Sequence, residues 1–165
     1  SDITDPLEIS VEIMMLTYKL KINVVKANEC CDDVFDTMEI YKRITLFLDM
    51  YSKRVKMSDV RLWLDFSTRV DYDIENNFIK ICYNDYGIQS YVDFLVLLGQ
   101  KRTCDNNVEL QADDEMQFAY MFNYLKDLSL RHYWDFDKLF YDIMTQDPQT
   151  MDDWKQSKDG LQKVI

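Results

Sequence analysis

The chain has 165 residues with 30 acidic and 19 basic side chains, a formal charge of −11, 47% apolar and 14% aromatic residues, but only Gly 3 and Pro 2. That length fits one domain with one core, and the glycine and proline counts are too low for the many turns of a sandwich or barrel, so a helical domain is expected. The negative field repels phosphate backbones and anionic lipid, which argues against nucleic acid as a partner.

Cys30, Cys31, Cys82 and Cys104 show neither the paired spacing of a zinc site nor a disulfide framework, and no secretory segment precedes them. They are expected to be thiols in a reducing interior. No run of eighteen apolar residues is present to span a bilayer, although a membrane tail missing beyond Ile165 is compatible with the abrupt end.

In chain order, Asp5, Pro6 and Glu8 form a helix-start signal, and a helix to about Val25 is expected. Leu16, Tyr18, Leu20, Ile22 and Val24 alternate with polar residues in the competing strand period. Val34, Met38, Tyr41, Ile44, Leu48 and Tyr51 recur at three- and four-residue steps, which predicts a helix of about five turns beginning near Asp32. Ser58 is expected to cap a short helix carrying Val60, Trp63 and Leu64. Ile74, Phe78 and Ile81 read as the stripe of another helix, while Val70 to Tyr83 reads alternatively as a hairpin about Asn76 and Asn77.

From Ile88 to Leu98 only Gln89, Ser90 and Asp93 interrupt the apolar residues, the pattern of a helix buried at the centre of a bundle. Gly99 is its expected C-cap, and Lys101 to Asn107 a polar connection. Asp113 and Asp114 open a strongly apolar helix running to Leu128. Two shorter helices follow, one around Phe136, Leu139, Phe140 and Ile143, one after Pro148 through Met151 and Trp154. The sum is an all-α domain of about seven to eight helices around a central hydrophobic one.

Chemistry is scarce in this pattern. His132 has no Ser, Cys or Asp spaced to orient it as a base, and no glycine loop cradles phosphate. No cofactor and no enzyme activity are expected. Phe47, Val55, Val60, Trp63 and Leu64 sit at the spacing of a calmodulin-like helix–loop–helix, but Leu48 and Met50 occupy ligand positions, so that alternative is a hand without calcium.

Asp85, Tyr86 and Gly87 ahead of the apolar helix resemble the first homology motif of the Bcl-2 family. Ala119, Tyr120, Met121, Tyr124, Leu125, Asp127 and Leu128 resemble that family's next helix, and Trp134, Asp135, Phe136, Leu139 and Tyr141 its second motif. The stretches from Asp93 to Arg102 and from Met121 to Ile143 are most similar to poxviral members that block apoptosis.

The resemblance implies a Bcl-2-like bundle with an apolar groove for the BH3 helix of pro-apoptotic proteins, executioners of the Bax and Bak type or BH3-only proteins such as Bim. It further implies a host cytoplasmic protein, outer-mitochondrial if an anchor exists, and compatible with homodimers. Ile88, Tyr91, Val92 and Leu95 would form the groove floor, Asp85, Tyr86 and Gly87 its entry, with Phe78 and Ile81 beside it and Ile44, Leu48 and Tyr51 as its wall. A side chain at Gly87 would then block the ligand without unfolding the domain. Two positions depart from the family: Ile88 stands where an arginine pairs the ligand's aspartate, and His132 and Tyr133 replace a pair of glycines. The alternative within the family is a closed-groove inhibitor of innate immune (NF-κB) signalling.

Overall fold

The computed structural model describes residues 34–56, 58–98, 109–111 and 113–165. The helix-or-strand choice over residues 7–25, the Gly99 cap and the polar connection fall outside them. Among the described residues the chain is mainly helical, in the order β1 (Val34–Asp36), α1 (Thr37–Arg54), α2 (Val60–Ser67), β2 (Thr68–Asp73), β3 (Phe78–Tyr83), α3 (Asp85–Leu97), β4 (Glu109–Gln111), α4 (Asp114–His132), α5 (Asp137–Met144) and α6 (Pro148–Leu161).

The centre of the bundle is α1, not the apolar helix expected there. Ile40, Tyr41, Ile44, Phe47, Leu48 and Tyr51 are all at most 1% exposed, and Leu46, Thr45, Ser52 and two charged residues, Arg43 and Asp49, are buried on its other sides. Over 18 residues it spans about 27 Å and packs against α2, α3, α4 and α6. It begins at Thr37 rather than near Asp32 because Val34–Asp36 pair antiparallel with Glu109–Gln111. It continues as helix to Arg54, through Leu48 and Met50, the first and third positions of the loop that the calmodulin-like alternative would need.

At the start of α2, Ser58 Oγ accepts from Val60 N at 3.4 Å, while Asp59 at the N-cap position makes no side-chain cap bond and its carboxylate accepts from Asp135 N at 2.8 Å. The stretch expected as a helix through Ile74, Phe78 and Ile81 is an antiparallel hairpin, with Val70 opposite Ile81 and Tyr72 opposite Ile79. Its turn is set by Asp73, which accepts from Asn76 N at 3.0 Å, and by Asn77 at φ 58°, a left-handed conformation that asparagine tolerates well. The later helices start as their sequences predict: Asp113 accepts from Met116 N at 2.9 Å, and Asp147 accepts from Thr150 N at 3.0 Å ahead of Pro148.

The two buried charges of α1 are both fully engaged. Arg43 reaches α4 and α6, and Asp49 ties α1 to α2 and the hairpin, accepting from Tyr72 Oη at 2.6 Å, Lys53 Nζ at 2.9 Å and Arg61 Nη1 at 2.9 Å. Burial alone would raise the Asp49 carboxyl, but these three donors outweigh it and hold its pKa below the ordinary range. The folded pKa therefore lies below the unfolded value of about 3.9, so ionised Asp49 stabilises the fold above that value and ceases to as pH falls through the folded pKa. The melting temperature should accordingly drop more steeply between about pH 5 and 3 in the wild type than in Asp49→Asn. Parallel slopes in thermal melts would show that other carboxylates set the acid limit.

Candidate functional site

Asn84 builds the start of α3. Its side chain accepts from Gly87 N at 2.9 Å as the N-cap, its Nδ2 donates to Phe66 O at 2.7 Å, and its own N–H donates to Ser67 O at 3.2 Å. The first turn of α3 is thereby stitched to the last turn of α2. Gly87 sits in this seam, buried, with its carbonyl accepting from Tyr41 Oη at 3.0 Å. The sequence reading missed Asn84, although an asparagine ahead of Asp85 in a first turn is an ordinary cap signal.

The predicted groove residues divide in two. Ile44, Leu48 and Tyr51, expected as a groove wall, lie in the closed core at 1%, 0% and 0% exposure and border no open surface. Tyr51 Oη donates to the buried Asp142 at 2.7 Å. Phe78 and Ile81 are half-buried on β3, in the hairpin rather than on a preceding helix. Tyr91 turns inward, its ring 5.1 Å from Tyr41 and its Oη 2.9 Å from Thr37 Oγ1. Phe94, not among the expected site residues, is the side chain that anchors α3, stacking near Tyr41 at 5.7 Å and Tyr124 at 5.3 Å.

The remaining floor residues face out. Ile88 is 46% exposed, Val92 42% and Val96 57%, spaced four apart so that they form one stripe along α3, with Leu95 half-buried beside it. A helix expected to be buried all round thus presents aliphatic side chains to water. Asp85 is exposed at its N-terminal end, and α3 carries Asp93 and no lysine or arginine.

On the flank of α3, Tyr86 joins segments distant in sequence. Its ring lies 4.9 Å from Phe66 of α2, edge to face, and its Oη accepts from Trp134 Nε1 at 3.4 Å. Tyr86 and Trp134, from the two motif-like stretches, are therefore neighbours. Phe66, and Leu62 one turn before it on α2, leave much of their area exposed. Tyr133, ahead of that tryptophan, closes α4 at φ 58° and ψ 33°. This is the left-handed conformation that glycine adopts without strain and an aromatic residue does not. Being 92% exposed, Tyr133 has little packing to lose, so Tyr133→Gly should raise stability by about 1 kcal/mol in urea unfolding. A loss instead would mean that the ring makes contacts that outweigh the backbone strain.

Away from α3, a cleft of about 440 Å³ opens between the hairpin and the end of α6, with Phe78 the one expected site residue in its lining. Among the described residues no group of His, Cys, Asp and Glu is placed to hold a metal ion, and no helix is long and apolar enough to cross a membrane. In comparisons with known proteins, no family model, no curated protein and no solved structure matches this chain.

Proposed function

We propose that this domain acts by binding rather than by catalysis, capturing an amphipathic helix of a partner protein on the outer face of α3. Following the Bcl-2 resemblance, the partner is the BH3 helix of a pro-apoptotic protein, an executioner or a BH3-only protein, and the consequence is a block of host apoptosis. The observation that carries this reading is the stripe of Ile88, Val92 and Val96, which leaves aliphatic area in water at the four-residue spacing that an apolar helix face matches. The contact between Tyr86 and Trp134 supports it, because the resemblance places both residues in motifs that flank one surface.

With no cation on α3, an aspartate of the incoming helix finds no partner there and stays hydrated. Affinity then rests on apolar anchors, and basic flanks on the peptide complement Asp85, Asp93 and the net charge of −11. BH3 peptides should bind with dissociation constants between about 10 nM and a few μM. Val92→Glu should weaken them by about thirtyfold, or about 2 kcal/mol, without changing the melting temperature.

The burial of Ile44, Leu48 and Tyr51 favours the second reading within the same resemblance, a closed-groove inhibitor of innate immune signalling that uses an outer face. A calorimetric panel of BH3 peptides separates the two. No heat with any peptide at about 100 μM would remove the BH3 reading and leave the signalling one.

A further inference from the structure

We infer that the surface between α2 and the flank of α3 docks an arginine-bearing amphipathic helix of a partner protein, whose aliphatic side chains rest on Leu62 and Phe66 and whose guanidinium lies against Tyr86 and Trp134 beside Asp59 and Asp135. Three segments build this surface. Asp59, Leu62 and Phe66 recur at three- and four-residue steps along one face of α2, where Leu62 is 61% and Phe66 58% exposed. The Phe66 ring meets Tyr86, and Tyr86 Oη accepts from Trp134 Nε1. The next residue, Asp135, returns to the start of α2: its N–H donates to Asp59 Oδ2 at 2.8 Å and its carbonyl accepts from Asp59 N at 3.2 Å.

These contacts close a circuit and fix the Asp59 carboxylate in advance, so little order remains to be imposed when a partner arrives. Tyr86 and Trp134 are half-buried and Asp135 is exposed. Tyr86 precedes Ile88 by two residues, about 200° around the helix, so this surface is distinct from the outward stripe of α3 and does not depend on the reading above.

The chain itself shows what aromatic rings beside aspartates take. Arg43 lies over Trp154 and bonds Asp114, Lys53 over Tyr72 and bonds Asp49, Arg54 over Tyr51 and bonds Asp153, and Lys138 over Tyr141 and bonds Asp142. In each case one cation is shared between a ring face and a carboxylate, both of which attract it. Rings and carboxylates are likewise present between α2 and α3, but among the described residues no lysine or arginine joins them. Arg61 is bonded to Asp49 and Asp65, and Arg131 to Asp127. The complementary cation is therefore the partner's, and a net charge of −11 draws a basic partner while repelling a second copy of this chain. Arginine suits the site better than lysine, because its planar guanidinium stacks on a ring while its fork holds a carboxylate. A helix suits it because the four-residue step from Leu62 to Phe66 matches the apolar face of another helix.

The test titrates the full chain into a fluorescein-labelled Leu-Arg-Ala-Ala repeat peptide and follows anisotropy, beside a twin with citrulline, an uncharged isostere, for each arginine. The arginine peptide should bind at least about tenfold more tightly than its twin, a comparison that needs no variant to fold. Phe66→Ser should weaken it at least about tenfold at unchanged melting temperature, and Leu62→Ser carries the same expectation should Phe66→Ser melt early. Asp135→Asn, whose amide oxygen still accepts from Asp137 N, should weaken binding about threefold, whereas Asp71→Asn, the same change of charge on β2, should leave it unchanged. Val92→Glu should not weaken it. Equal binding of the two peptides would overturn the proposal, as would wild-type affinity in both Phe66→Ser and Leu62→Ser. Equal losses in Asp135→Asn and Asp71→Asn would reduce the attraction to the diffuse field of the protein, and a loss in Val92→Glu as large as that in Phe66→Ser would assign the peptide to the outward face of α3. Either result overturns the site.

Discussion

Arg43→Ala is expected to lower the unfolding free energy by about 3–5 kcal/mol. The guanidinium is buried, with its side chain 1% exposed, and serves four acceptors: Ser157 Oγ at 3.0 Å, Asp114 Oδ1 at 2.6 Å, Gln117 Oε1 at 3.1 Å and Trp154 O at 2.9 Å. It also lies 3.7 Å over the Trp154 ring. Burial pulls its pKa down and Asp114 opposes that, but arginine remains charged throughout, so what the site holds is a desolvated cation. Removing it leaves Gln117 and the Trp154 carbonyl buried without this donor and opens a void between α1, α4 and α6.

The ion pair itself is the smaller part of this. Asp114 is 52% exposed and screened by water, so Asp114→Asn should cost under about 1 kcal/mol. Urea unfolding of both variants at pH 7 decides the matter. Equal losses would place the stabilisation in the charge pair and not in the buried hydrogen bonds.

The same residue explains why the centre of the bundle was not legible in the sequence. Lys42, Arg43, Asp49 and Lys53 make α1 look like an amphipathic surface helix, since its pattern does not reveal that Arg43 and Asp49 find their partners on α2, α4, α6 and the hairpin. Such partners lie up to 114 residues away in the chain, beyond the reach of any local periodicity. Conversely, Ile88 to Leu98 reads as buried because apolar content is all that a pattern can weigh, yet from Asp85 to Leu98 only Gly87, Ser90, Phe94 and Leu98 are buried, with Tyr86, Tyr91 and Leu97 partly buried against the core. The apolar excess on its outer side is surface, and it is that excess which gives the domain a candidate docking face.

Local signals were more dependable than global ones. The starts of α4 and α6 lie in short capping patterns around Asp113 and Asp147, where a carboxylate meets a backbone N–H three residues on. The hairpin was one of two readings of Val70 to Tyr83, and the turn chemistry of Asp73, Asn76 and Asn77 decided in its favour over the stripe of Ile74, Phe78 and Ile81. Of the candidate site, the exposed part was legible as residues but not as exposure. The wall residues Ile44, Leu48 and Tyr51 share the spacing of a helix face, and spacing alone does not distinguish a face turned to a groove from one turned to the core.

Gly87 shows that distinction in a single position. A side chain there was expected to obstruct a ligand while the domain still folded, but the Cβ of any replacement would fall against the Ser67 carbonyl oxygen, well inside contact distance, and 3.2 Å from both Cβ and Cδ1 of Tyr83. The obstacle is backbone, held by the bond from Asn84 N, so it has no rotamer with which to move aside. Overpacking of this kind typically costs about 1–3 kcal/mol, and Gly87→Ala should fall at the upper end because relief requires separating α3 from α2. Gly87→Glu adds a carboxylate to a buried seam and should leave too little folded protein to assay. Separation of the helices would also lengthen the Tyr41 Oη bond to the Gly87 carbonyl, so near-ultraviolet circular dichroism of the tyrosine cluster should weaken in Gly87→Ala. The two measurements to make are the melting temperature of Gly87→Ala and its titration with a BH3 peptide. A variant that melts with the wild type but fails to bind would return Gly87 to the ligand-facing side and displace the α2–α3 seam described above. A variant that melts early, and binds normally at temperatures where it is folded, would fix Gly87 as the close contact on which the exposed face of α3 is mounted.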